Sequence, residues 1–328
     1  MTDRTPALSG IVEARPEIGG GLATPSFDLP PGATPGVPGP AGSTRIGPRE
    51  FAWGRRTYVM GIVNVTPDSF SGDGLLAVAA GPAGAAATAD PVAAAVELAR
   101  RMVDEGADLL DVGGESSRPG HADVSAADEV DRVVPVIAAL RAALPEMSLS
   151  VDTTKMAVAA AALDAGADLV NDVWGIAADD DLLRLAAGRH VPVVLMHNRA
   201  EARYTNLMAE ILADLEAAIE RALRAGIAWD AIVIDPGFGF GKTPAHNLVL
   251  LRELSLLRTL GRPILLGTSR KSTLGKVLDL GADERLEATL ATTALGVAAG
   301  VDIVRVHDVR PNVRAARMAD AIVRGGQS

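Results

Sequence analysis

The stretch IDPGFGFGKT, residues 234–243, ends in Gly241-Lys242-Thr243, the second half of a phosphate-binding P-loop. The first half is missing. Where that pattern requires its leading glycine, this chain has Pro236, which has no N–H to offer a phosphate and a fixed φ. The other reading is a buried strand, AIVID, that ends by presenting Asp235 to a site. The choice between them separates a nucleotide-binding sheet from another α/β architecture, and the flanking sequence makes it.

From Tyr58 onward, apolar runs and helical patterns alternate. YVMGIVNVTP, ADLLDVGG, SLSVDT, ADLVNDVWG, PVVLMHN, AIVIDPGFG, RPILLGTS and DIVRVHD are each followed by a helix-forming segment, giving eight strand–helix units in about 265 residues. Near-continuous apolar strands imply a parallel sheet covered by helices. Eight units of this length predict an α/β fold of the (β/α)8 TIM-barrel type. The chain also echoes itself, with GADLLDV at 106–112 and GADLVNDV at 166–173.

Upstream, residues 1–45 include much of LPPGATPGVPGPAGSTRIGP, which is crowded with Pro and Gly and lacks hydrophobic periodicity; they are expected to be a disordered tail, leaving 46–328 as the barrel domain. FAWGRRTYVMG, residues 51–61, reads as a hairpin closing the bottom of that domain.

Composition narrows the function. The net charge of −10 argues against a general nucleic-acid binder but not against a small anionic ligand held by a local cation cluster. The absence of cysteine excludes disulfides, thiolate zinc sites and cysteine nucleophiles together. Neither a signal core nor a membrane span is evident, so the chain is expected in the cytoplasm.

In a barrel of this kind, chemistry sits at the C-terminal ends of the strands. Those ends carry Asn64; Asp111 with Glu115, Ser117 and Arg118; Asp152; Asn171 and Asp172; His197; Asp235; Arg270 and Lys271; and Arg305 with His307. Taken singly, Asp152, Asn171 and Asp235 could equally be buried structural residues. The whole set at one end favours a site. Carboxylates and an asparagine on strands 3, 4 and 6 suit a flat heterocycle with ring N–H and amino groups. Cations on strands 7 and 8, where the fold usually binds phosphate, suit an anionic leaving group. The five histidines have no zinc-ligand spacing, but a hard cation such as Mg²⁺, held mostly by substrate phosphates, is compatible. Phe70, Phe238 and Phe240 fall in the loops at the same end, with capping of the core as the competing role for Phe238.

MGIVNVTPDSF (60–70), DVGGESSRPG (111–120), SVDT (150–153), LVNDV (169–173), IDPGFGFGK (234–242), TSRKS (268–272) and RVHD (305–308) together resemble the bacterial dihydropteroate synthases. The resemblance implies condensation of 6-hydroxymethyl-7,8-dihydropterin diphosphate with 4-aminobenzoate in folate biosynthesis, in a homodimer. It implies that Asp152, Asn171, Asp235, Lys271 and Met196 surround the pterin, and that Asn64 ligates Mg²⁺. It places Ser117, Arg305 and His307 on the diphosphate, and Phe70, Arg118, Pro119, Phe240, Lys271 and Ser272 around the aminobenzoate. Ser117 stands where many relatives have Thr, and Thr273 where a larger residue is common, which suggests an altered aminobenzoate entrance. A pterin-binding methyltransferase of the same barrel superfamily would share the Asp/Asn pocket without needing NVTPDSF or SRKS. A non-catalytic paralogue would be expected to have lost SSRPG, SRKS or RVHD.

Overall fold

Six of the seven residues of Tyr58–Asn64 are buried, and they go to two different places. Val59 and Val63 join the large cluster between the strands and the helices, whereas Tyr58 and Met60 join a smaller cluster inside the sheet. A strand buried on both faces needs apolar residues at nearly every position, which is why these segments show no alternation in sequence. The structure, a computed structural model, describes residues 40, 42–65, 90–115, 124–174 and 180–325.

Eight parallel strands form the sheet: β3 (Tyr58–Asn64), β4 (Leu109–Gly113), β5 (Ser148–Asp152), β6 (Leu169–Asp172), β7 (Val193–Met196), β8 (Ile232–Asp235), β9 (Leu265–Leu266) and β10 (Ile303–Val306). Their order is β8-β7-β6-β5-β4-β3-β10-β9, and a parallel bridge between Ile234 and Ile264 joins the two ends. The expected barrel is therefore present, built of consecutive neighbours with β10 returning to β3.

The described helices are α1 (Pro91–Asp104), α2 (Ala126–Ala143), α3 (Met156–Asp164), α4 (Asp181–Arg189), α5 (Leu207–Ala225), α6 (Pro244–Arg252), α7 (Ser272–Leu278), α8 (Leu286–Ala298) and α9 (Val309–Val323). Local chemistry sets their ends. Asp90 caps α1 through Val92 N at 3.0 Å, and Pro91 fits the first turn, where no N–H is needed. Two details differ from the sequence pattern. The leucines of 247–260 predict one helix, but α6 stops at Arg252 and Leu254–Leu260 winds more tightly as 3₁₀. The seventh unit also carries an additional short helix, α7, which starts at Ser272.

The bottom of the barrel is closed by a hairpin, as expected, but by a different pair of segments. β1 (Ser43–Ile46) pairs antiparallel with β2 (Arg49–Ala52), while Tyr58–Gly61 belongs to the barrel itself. The first strand thus begins within the segment read as tail, and residues 1–39 lie outside the described residues. Ile46, Phe51 and Trp53 enter the inner cluster beside Tyr58, Met60, Leu109, Leu169, Val194, Val233, Leu265 and Ile303. The Phe51 ring centroid lies 4.8 Å from that of Tyr58, and Trp53 meets Tyr58 edge-on at 5.7 Å. The interior is filled from below.

Candidate active site

Side chains on a strand alternate between faces, so residues two positions beyond the apolar inner layer also point inward. Leu109 leads to Asp111, Leu169 to Asn171, Val194 to Met196, Val233 to Asp235 and Ile303 to Arg305. On β5, the inward row is Ser148, Ser150 and Asp152. The lower layer is apolar and the upper layer is polar, which gathers residues spread over nearly two hundred positions at one end of the barrel.

Arg305 is the hub of that layer. Its Nε donates to Asp111 Oδ2 at 2.5 Å and its Nη2 to Asp152 Oδ2 at 2.6 Å. Asn171 Nδ2 donates to the same Asp111 oxygen at 3.0 Å, while Asp111 Oδ1, fully buried, has no partner. Burial pushes the Asp152 carboxyl up to about 7; Arg305 opposes that rise and Asp111 adds to it. Burial alone would weaken the Arg305 guanidinium's hold on its proton, but Asp111 and Asp152 outweigh it.

The second group lies at the end of β8 and in the segments that follow β8 and β9. Asp235 Oδ1 accepts from Gly237 N at 2.7 Å, and burial raises its pKa against the pull of Lys271. Lys271 donates to the Phe238 carbonyl, and its ammonium stands 4.3 Å from the centre of the Phe240 ring. Burial brings Lys271 down to about 8, with Asp235 opposing. A Cβ built on Gly267 would lie 3.8 Å from Arg305 Cβ and 3.9 Å from Lys271 Nζ, so the two cations flank that glycine. Met196 is buried and pairs in register with Asp235.

The remaining candidates divide. A Cβ on Gly113 would lie 3.7 Å from Asn64 Oδ1 and 3.8 Å from Asp152 Oδ2, which places Asn64 at the rim beside Asp152. His307 N donates to Ser269 Oγ at 3.2 Å, and that hydroxyl meets His307 Nδ1 at 2.9 Å. Ser272 is exposed at the start of α7. Arg270 forms a two-point pair with Asp308, at 3.1 and 2.7 Å. Thr273 is buried and accepts from Asn247 Nδ2 at 2.8 Å. Phe238 is wholly buried in the core with its ring centroid 6.0 Å from the Lys271 ammonium, whereas the Phe240 ring stands at 4.3 Å. Phe70, Ser117, Arg118 and Pro119 lie outside the described residues.

The P-loop-like residues serve the fold. Thr243 caps α6 through His246 N at 3.1 Å, and Lys242 is engaged by carbonyls of its own loop. Asp111 was visible in the sequence as a strand-end carboxylate, but nothing nearby assigned it a part. Its partner Arg305 is 194 residues away.

Among the described residues, no cluster of three or more His, Asp or Glu side chains is arranged to hold a metal. Among the described residues, the Asn64 oxygen stands at the rim as a hard donor with Asp152 Oδ2 beside it. That donor set suits a Mg²⁺ ion carried mainly by substrate phosphates and water, and does not suit one held by protein alone.

Fold and site together define a (β/α)8 barrel enzyme with a buried cluster of paired carboxylates and cations at its C-terminal end. The model of the pterin binding enzyme family matches residues 60–307, and the chain belongs to that family, with the dihydropteroate synthases. It is 47% identical over 281 residues to the dihydropteroate synthase of Clostridium beijerinckii, covering 85% of this chain and 99% of that one. The Xanthomonas albilineans dihydropteroate synthase solved with 4-aminobenzoic acid is 40% identical, with a TM-score of 0.78 over 87% of this chain and 98% of that one. The same enzyme in complex with 7,8-dihydropteroate is similar at 39% identity and a TM-score of 0.75, over 86% of this chain and 98% of that one.

Proposed function

We propose that this chain is a dihydropteroate synthase, joining 6-hydroxymethyl-7,8-dihydropterin diphosphate to 4-aminobenzoate with release of pyrophosphate. The observation that carries the reading is the inward polar layer: Asp152, Asn171 and Asp235 beside Lys271 and Arg305, at one end of the barrel. The relatives solved with 4-aminobenzoic acid and 7,8-dihydropteroate support it.

In the reaction the methylene C–O bond breaks with its electron pair going to pyrophosphate. The amine nitrogen forms the new C–N bond and releases one proton to water. Positive charge develops on the pterin methylene and spreads into the ring. Asp152 and Asp235, buried and fixed before the substrate arrives, are suited to balance that charge without reorganisation. Asn171 offers both a donor and an acceptor to the ring edge. The Lys271 ammonium, covered by Phe240, is suited to hold one edge of the pterin on one side and the aromatic amine on the other. The family resemblance assigns His307, Arg305 and Ser117 to the diphosphate, and Phe70, Arg118, Pro119, Phe240 and Ser272 to the aminobenzoate; Phe70, Ser117, Arg118 and Pro119 lie outside the described residues. Mg²⁺, with Asn64 as its protein ligand, supplies charge neutralisation to the leaving group when bound.

The reading extends to a homodimer in the cytoplasm. Leu295 on α8 and Met318 and Ile322 on α9 are exposed, and such apolar residues suit a contact with a second copy. No described helix is long and apolar enough to cross a membrane. The test is the purified protein with both substrates and Mg²⁺, following pyrophosphate and dihydropteroate. Absence of both products, with intact folding, would overturn the proposal.

A further inference from the structure

The glycine-rich loop after β8 lies directly on the segment after β7. Gly237 has φ 68°, and a Cβ there would stand 1.8 Å from the His197 carbonyl oxygen. Gly241 has φ 52°, and its Cβ would stand 2.3 Å from the carbonyl oxygen of Arg199. Only glycine permits that approach.

The Lys242 ammonium fills the junction. It lies 2.9 Å from His197 Nδ1, 3.0 Å from the Gly237 carbonyl oxygen and 3.0 Å from that of Phe240. Burial brings the Lys242 pKa down to about 7, with Asp235 opposing; in its ammonium form its three N–H donors each have an acceptor within reach. Accepting at Nδ1 leaves the His197 proton on Nε2, which faces Asp214 Oδ2 at 3.2 Å. Arg199 holds that carboxylate in turn, from Nε at 3.0 Å and Nη2 at 2.6 Å. His197 is fully buried, and burial followed by Lys242 brings its pKa down to about 4, so the ring is neutral.

The loop so gripped is the one that touches both halves of the site. Gly237 N donates to Asp235, the Phe238 carbonyl accepts from Lys271, and the Phe240 ring covers the Lys271 ammonium. Lys242 holds the carbonyls of Gly237 and Phe240, the residues on either side of that contact.

We propose that Lys242 is a positioning residue for the reaction: by fixing the loop from Gly237 to Phe240, it sets where the Asp235 carboxylate and the Lys271–Phe240 pair stand. The inference rests on the function proposed above.

The test compares wild type with Lys242→Met, which keeps length and removes all three donors. Melting temperature is measured beside the calorimetric affinity for 7,8-dihydropteroate per folded molecule. Displacing both halves of the site should weaken that affinity on the order of tenfold or more, since a misplacement of about 1 Å can cost far more than that in rate. A lowered melting temperature with wild-type affinity in the folded fraction would mean a purely structural pin and overturn the inference. Lys242→Arg covers the case in which the Met variant does not fold. It keeps the charge but spreads its donors over a planar fork that cannot meet three acceptors converging on one atom. A folded Lys242→Arg protein with wild-type affinity overturns the inference equally. Wild type that fails to bind 7,8-dihydropteroate would instead sink the functional reading itself.

Discussion

Arg305 reaches Asp152 from the far end of the chain, Nη2 to Oδ2 at 2.6 Å, and that contact ties the last strand of the barrel to the third. Both side chains are mostly buried, so the pair cannot be replaced by water. Arg305→Met should therefore leave Asp152 and the fully buried Asp111 without their cation, with only Asn171 still donating to Asp111. Breaking a buried pair this way costs about 3 kcal/mol or more. Urea denaturation measures it. An unchanged midpoint would show that something other than Arg305 balances these groups.

Asp235→Asn isolates charge from shape. The amide oxygen can still accept from Gly237 N, so the loop should keep its place and the melting temperature should barely move. The lost carboxylate should lower kcat/KM by a factor on the order of 10² or more. Near-wild-type turnover would make Asp235 a structural strand end.

The pH dependence of stability should carry the signature of Asp152. Its pKa is raised in the fold, to about 7 from an ordinary 3.8, so between those values the folded state holds the proton more tightly than the unfolded chain does. This contribution is complete below pH ~4 and is lost as pH rises to ~7. Denaturation of wild type and Asp152→Asn in parallel removes the other titrating groups from the comparison. Wild type should lose stability relative to the variant across that window and run parallel to it above. A flat difference from pH ~4 to ~7 would mean that Asp152 is already ionised throughout.

Phe51→Ala should remove the plug of the barrel. Phe51 is 1% exposed and stacks against Trp53 and Tyr58, so the cavity should cost about 3 kcal/mol or more by thermal or urea unfolding. Deleting residues 1–39, whose Pro- and Gly-rich composition offers little apolar surface to bury, should leave melting temperature and activity nearly unchanged. A loss of several degrees on that deletion would show that the tail packs on the domain.

The architecture was legible because most strands are apolar along their length and each is closed or followed by polar residues. Asp152, Asn171 and Asp235 stood out as polar residues closing such runs, and alternation then places them inward. What sequence could not give was who meets whom. Asp111 looked no different from Asp172, yet Arg305 and Asn171 both bond it, because those contacts cross the barrel. Pro236 set Lys242 aside as a P-loop lysine, but the pattern does not reveal that Gly237 and Phe240 turn their carbonyls back toward it. β1 was hidden in a Pro/Gly-rich segment; only pairing with β2 and burial of Ile46 make it a strand. The leucines of 247–260 fit α-helix and 3₁₀ alike, so the break after Arg252 left no signature.

Between β8 and β9 the barrel is held by very little. β7 and β8 share four register pairs, whereas β8 meets the next strand only through the Ile234–Ile264 bridge and the bond from Ile234 N to the Pro263 carbonyl at 2.9 Å. Asp235 follows Ile234 on one side of this seam, and Lys271 follows β9 on the other. Asp235 and Lys271 thus follow the two strands that share the fewest register pairs among the described barrel strands. A ligand that touches both Asp235 and Lys271 would bridge this sparsely paired seam from its two sides and add contacts where the ladder supplies fewest.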